Sequence, residues 1–192
     1  QNSAPAEVEP WLEKGARLLV AGATAPSAAA AQVAKVHPAT QAAWRVHDRE
    51  LFPSLETTNL IILDKDYVGL KPRDDAELTL IPPALGAPPE LVWLDKQETK
   101  VPGVWLGEHG KGKIAWIPWR PGESYYRYSS PSHAGVVVDL VDHLLPQGRQ
   151  IETNAHPLIE ITLMRQESTN RTFVHLVNVS GHSSTGYHPP IS

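Results

Sequence analysis

The sequence predicts an α/β domain followed by a β-hairpin, on three observations. The segment VEPWLEKGARLLVAG, Val8 to Gly22, reads as a helix, a glycine stop and a buried strand. The segment PSHAGVVVDLVDHLL, Pro131 to Leu145, carries the apolar spacing of an amphipathic helix. The segment LIEITLMRQESTNRTFVHLVNVSGHSSTGY, Leu158 to Tyr187, reads as two strands about a polar turn. The division we expect is a partial α/β domain over 1–147 and the start of a β-domain over 148–192. The opening helix–strand step lacks partner strands and the closing hairpin has no sheet after it. We therefore expect a chain that begins inside one domain and stops at the start of another.

In order along the chain, Val8 to Lys14 is the end of a helix and Gly15 its left-handed stop. Ala16 to Val20, ARLLV, is a short apolar run of the kind covered on both faces. Ala23 to Ala34 is alanine-rich, a short helix or a loop, and Gln41 to Val46 is a candidate strand. Glu50 to Leu55 is a helical turn, and Asn59 to Leu63, NLIIL, is a strand ending in Asp64-Lys65-Asp66. Glu77 to Ile81 is another strand, closed by Pro82-Pro83, with loop to Pro89. Val104 to Leu106 and Lys113 to Trp119 flank EHGKG as a hairpin, with Gly110 and Gly112 expected at positive φ. The helix over Pro131 to Leu145 has Val136, Leu140, Val141, Leu144 and Leu145 as its apolar stripe. Ser130 or Ser132 caps it, and Pro146 follows its end. The terminal hairpin turns at Glu167 to Asn170.

Composition narrows the function classes. A hydrophobic fraction of 41% allows a real core, while 18 prolines exclude long helices over most of the chain. A net charge of −4, with Lys and Arg scattered singly, gives no footprint for nucleic acid. No apolar run is long enough to span a membrane. The N-terminus QNSAPAEVEP has neither the basic start nor the apolar core of a signal peptide. A leader removed earlier, or lying upstream in a secreted or periplasmic parent, stays open, so location is not read. With no cysteine, disulfides, thiolate zinc sites and cysteine nucleophiles are excluded. The sequons at Asn170 and Asn178 carry little weight, since short motifs arise by chance.

The segment richest in chemistry is IPWRPGESYYRYSSPSH, Ile117 to His133, read as a loop between strand and helix. Trp119, Arg120, Tyr125, Tyr126 and Arg127, with Tyr128, could stack on sugar faces and bind hydroxyls. The same types are enriched where domains and subunits pack, and we prefer that reading. A G-x-S-x-G elbow is absent, because Gly122-Glu123-Ser124-Tyr125-Tyr126 lacks the second glycine. Ser124, or Ser132 with His133, is thus a weak nucleophile pattern. Asp139 and His143 lie one helical turn apart and could act as base or metal ligands from the polar side, though such spacing usually marks an ion pair. Asp64 and Asp66 are weak metal candidates without the further oxygen ligands calcium needs. His156, His175, His182 and His188 follow no ligand spacing, and no cofactor is expected. Glu98, Glu108 and Glu123 read as solvated surface acids.

Longer stretches carry a resemblance. LPQGRQIETNAHPLIEITLMRQ and NRTFVHLVNVSGHSSTGYHPPI, within Leu145 to Ile191, resemble the start of a C-terminal β-domain in large bacterial glycoside hydrolases. GKGKIAWIPWRPGESYYRYSSPSHAGVVVDLVDHLLP, Gly110 to Pro146, resembles the end of their preceding domain. That domain is similar to the trimerisation domain of β-galactosidases, a glutamine-amidotransferase-like α/β fold of flavodoxin-like type. WLEKGARLLVAG is similar to its helix–Gly-Gly–strand step, with Ala16 in place of the second glycine. These motifs are architectural. The amidotransferase cysteine is absent, and the β-galactosidase glutamates would sit on a barrel for which no sequence precedes Val8.

Three readings follow. The first is a non-catalytic accessory or assembly piece of a glycoside hydrolase, packing against a missing catalytic domain or forming a homo-oligomer. The second is a small free-standing hydrolase of esters, lactones or glycosides, using the Trp119 to His133 segment. The third is a carbohydrate-binding module. Whether the chain is itself an enzyme is left open by the sequence, and the first reading is carried forward.

Overall fold

The structure is a computed structural model, described over residues 8–37, 42–82, 99–149, 151–156, 158–183 and 186–188. It divides into two compact units, Gln1–Gly148 and Arg149–Ser192.

Strand pairing overturns the α/β expectation. In the first unit run β1 (Arg17–Ala21), β2 (Val33–His37), β3 (Ala42–Val46), β4 (Leu60–Leu63), β5 (Tyr67–Leu70), β6 (Leu78–Ile81), β7 (Trp105–His109) and β8 (Gly112–Ile117). Every pairing among them is antiparallel except β1 beside β8. The body is therefore mostly β, in small sheets, and not a flavodoxin-like or amidotransferase-like sheet. The reason lies in the connections. Parallel neighbours need a crossover of about a dozen residues or more, usually a helix. Among the described residues the three α-helices, α1 (Glu9–Glu13), α2 (Pro121–Tyr128) and α3 (Pro131–Leu144), all lie outside the run from β1 to β8. The alanine-rich stretch supplies only a 3-10 turn over Ser27–Gln32 before β2.

Two sheets carry the core. The strand order β4-β3-β6 makes one sheet and β1-β8-β7 another. The segments holding β2 and β3 also pair twice with the segments holding β5 and β4, His37 opposite Tyr67 and then Ala42 opposite Leu63. Strand β5, YVGL, was not expected from the sequence, because Gly69 interrupts a short run that is nonetheless buried throughout. Trp44, Phe52, Leu55, Ile61, Leu63, Leu78, Ile117 and Trp119 form the core with Val136, Leu140 and Leu144 of α3. Of the expected stripe on α3, Leu145 lies just past the helix end and is exposed.

The β7–β8 hairpin forms as expected, but only one of its glycines works through positive φ. Gly110 has φ 58, whereas Gly112 begins β8 and is needed for space. A Cβ there would come within 2.7 Å of the Leu12 carbonyl oxygen and 2.8 Å of that of Ala16. Glu98, Gln41 and the loop from Pro83 to Pro89 lie outside the described residues.

The second unit holds the expected hairpin, β9 (Ile159–Gln166) and β10 (Arg171–Asn178), turning through Glu167–Thr169 with Asn170 left-handed. Leu163 sits opposite Val174 and Ile161 opposite Leu176, so one face is apolar. That face is open: Leu163, Val174 and Leu176 are all exposed. A short hairpin β11 (Gly181–Ser183) with β12 (Gly186–His188) follows. The side chains of His182 and His188 lie outside the described residues.

Candidate functional site

The segment read as a loop between Trp119 and His133 is mostly helix. Pro121 stands at its first turn, where a missing N–H leaves nothing unpaired, Glu123 lies in that turn and Arg127 in the last. That order of proline, acid and base was legible in the sequence, though Gly122 and three β-favouring tyrosines argued against it. Ser129 ends the helix in the left-handed conformation, φ 51, which costs a residue other than glycine.

Helix α2 buries little. Only Pro121 and Ser124 are covered, while Tyr125, Tyr126 and Tyr128 are exposed, Tyr126 at 64%. What holds it is polar, and comes from Asp64-Lys65-Asp66 between β4 and β5. Arg127 donates to Asp64 at 3.0 Å, and the Tyr128 hydroxyl donates to the same carboxylate. Lys65 lies 3.0 Å from Glu123, and Arg120 lies 3.4 Å from both Asp66 and Glu123. The hydrogen bond from Lys65 is the main cause that holds the Glu123 carboxyl below its ordinary 4.5. The hydrogen bond to Asp64 pushes the Tyr128 phenol above 10.0. A pair as open to water as Arg120–Asp66 contributes about 0–1 kcal/mol, whereas the Asp64 carboxylate that Arg127 meets is largely buried.

Beneath the helix the chemistry is different. Trp119 is fully buried and donates its indole N–H to the Gly103 carbonyl at 2.9 Å, so it has no face for a ligand. His133 is 2% exposed, with its ring edge-on to Trp119 and stacked on Tyr128 at 6.5 Å between centroids. Its Nε2 lies 2.8 Å from the Ile62 carbonyl oxygen. A carbonyl can only accept, so Nε2 carries a proton and the contact leaves Nδ1 as the second ring nitrogen. That Nδ1 has no partner, nor has the Oγ of Ser124, which is 1% exposed, nor Asp64 Oδ1. A buried polar group left unpaired costs about 1–3 kcal/mol, so Ser124 and His133 both weigh against the closed arrangement.

The remaining candidates are tied into the structure separately. Asp139 lies on the buried side of α3, not the polar one. It accepts from the Ser54 hydroxyl at 2.6 Å and the Ser54 amide at 3.1 Å. His143 is exposed one turn on, so the two do not form a ligand pair. Ser132 shares a hydrogen bond with Ser130 at 2.8 Å. Asp64 and Asp66 face cations of α2 and Arg120, and among the described residues no three His, Asp or Glu groups gather as metal ligands. Glu108 is exposed, as are His156 and His175. An open cleft of about 620 Å³ lies among His47, Asp48, Arg73, Asp74, Glu77 and Lys100. Its charges pair across it, Arg73 with Glu77 and Lys100 with Asp74. The Asp64–Tyr128, Lys65–Glu123 and Ser54–Asp139 contacts were not foreseen, since no local spacing signals partners 58 to 85 residues apart.

No protein-family model matches the chain, and no curated protein matches it. Among solved structures, alpha-L-fucosidase isoenzyme 2 from Paenibacillus thiaminolyticus is similar, with a TM-score of 0.70 at 18% identity. The likeness covers 97% of this chain and 29% of that one. At that identity the likeness is one of fold. This chain thus spans under a third of the length of the enzyme it matches. Among the described residues, no helix is long and apolar enough to cross a membrane.

Proposed function

We propose that the chain is a non-catalytic accessory piece of a glycoside-hydrolase-type protein, working by packing against a catalytic domain or a second copy. The observation that carries this reading is the internal use of the acid–base candidates. Asp139 holds Ser54, and His133 holds the Ile62 carbonyl under α2. Facing solvent on α2 are tyrosines and Arg127, and on the second unit an apolar hairpin face, residue types that pack against other protein. The fold likeness to an enzyme more than three times as long supports a hydrolase-related origin. A β-galactosidase-type parent is the finer form of this reading, and it rests on the sequence resemblance alone.

The test is hydrolysis by the purified 192-residue chain of nitrophenyl glycosides, short esters and acyl lactones. Silence from a folded sample is the expected result. Turnover that disappears in a folded His133→Ala variant would overturn the accessory reading in favour of a stand-alone hydrolase. A carbohydrate-binding role is favoured by one feature only, the exposed Tyr125 and Tyr126 beside Arg127. It requires affinity for a sugar without turnover, lost in Tyr126→Ala.

A further inference from the structure

Helix α2 combines three properties. It covers very little apolar surface, with Pro121 and Ser124 its only buried residues. It is fastened along one side by side-chain pairs to residues 64–66, of which the Lys65–Glu123 and Arg120–Asp66 pairs stay partly open to water. The helix also closes over groups that gain nothing from burial, the Ser124 hydroxyl and the bare Nδ1 of His133. Apolar cover, the usual reason a helix stays down, is nearly missing, while unpaired polar groups push the other way. Its two ends sit outside helical geometry, Arg120 at φ −112, ψ 76 and Ser129 left-handed at φ 51, ψ 27.

We propose that α2 is a strap, opening as a unit between Arg120 and Ser129 and exposing Ser124 and His133 when it does. The closed state is held by Asp64 with Arg127 and Tyr128, by Lys65 with Glu123, and by Asp66 with Arg120. Because the Lys65–Glu123 and Arg120–Asp66 pairs lie near water, salt weakens them, whereas it leaves the apolar packing of α3 in place; the Asp64 contacts are largely buried and are probed by substitution. Opening unstacks Tyr128 from His133 and satisfies both orphaned groups with water. Helix α3 is the internal reference, since Val136, Leu140 and Leu144 anchor it in the core. The strap does not depend on the accessory reading, which concerns turnover and packing.

The experiment is hydrogen exchange on the full chain, comparing α2 with α3, alongside diethyl pyrocarbonate labelling of His133 resolved by mass spectrometry. We expect α2 amides to exchange about tenfold or more faster than those of α3, through a local opening. Raising salt to about 1 M should speed α2 exchange and His133 labelling severalfold. Asp64→Ala should do the same at low salt. Ser124→Ala, which removes an orphaned hydroxyl, should slow both by about tenfold. If Asp64→Ala fails to fold, Arg127→Gln removes the same pair from its exposed end. Exchange of α2 at the rate of α3, or labelling indifferent to salt and to both substitutions, would overturn the proposal.

Discussion

Asp139 and Ser54 meet across 85 residues of sequence, the carboxylate of α3 accepting both the hydroxyl and the amide of the 3-10 turn at Pro53–Leu55. The contact sits beside Gly135, where a Cβ would come within 3.1 Å of Leu55 Cδ2 and 3.2 Å of Ser54 Cβ. A small residue lets the helix approach the turn, and a buried acid one helical turn later fastens it.

Asp139→Ala should therefore lower stability by about 1–3 kcal/mol, the cost of leaving the Ser54 donors of this part-buried contact unsatisfied. Urea unfolding reads it. The coupling with Ser54→Ala in a double-mutant cycle should exceed ~1 kcal/mol, and independent effects would show that the contact is not what anchors α3.

Trp119→Ala and Tyr126→Ala should behave oppositely. Trp119 is fully buried, so its loss should cost about 3–5 kcal/mol. Tyr126 is 64% exposed, so its loss should stay within about ±0.5 kcal/mol. Thermal midpoints separate the two, and a fall in sugar or partner binding is interpretable as surface chemistry only for Tyr126.

Gly112→Ala should destabilise by at least ~2 kcal/mol, because the new methyl meets backbone atoms of Leu12 and Ala16 that cannot rotate away. A normal denaturation midpoint would show that α1 can move off β8.

The fastening of α2 should depend on pH at both ends. Tyr128 is raised above 10.0 by its bond to Asp64, so its contribution is full below 10.0 and is lost as pH rises through the folded value. Glu123 is lowered below 4.5 by Lys65, so its contribution is full above 4.5 and is lost as pH falls through the folded value. Phenolate absorbance should show two tyrosines titrating late, Tyr67 through burial and Tyr128 through Asp64, and Asp64→Ala should move only Tyr128 back towards 10.0.

Local pattern alone reached much of the first unit. NLIIL became β4, ELTLI became β6, EHGKG turned the β7–β8 hairpin, and the Val136-Leu140-Leu144 spacing became α3. These are short-range signals, in which side-chain period and turn chemistry act within one element. The helix over Pro121–Tyr128 carries a local signal too, a proline and an acid in its first turn, although the segment reads as a loop by pattern. Asp139 shows where local reading stops: an acid between Val138 and Leu140 looks like a solvated face until Ser54 is brought to it.

By itself, then, the sequence determined several elements, among them β4, β6 and α3, the absence of thiol chemistry and the hairpin at Glu167–Asn170, since each depends on residue type and near neighbours. Tertiary structure decided that β1 meets β8 in parallel while the other strands of that unit pair antiparallel. It also decided that Trp119 and Asp139 are interior, and that Asp64-Lys65-Asp66 clasps a helix. Such partners are chosen by the closing of long loops and by which polar groups then lose water, and no window of sequence contains that information.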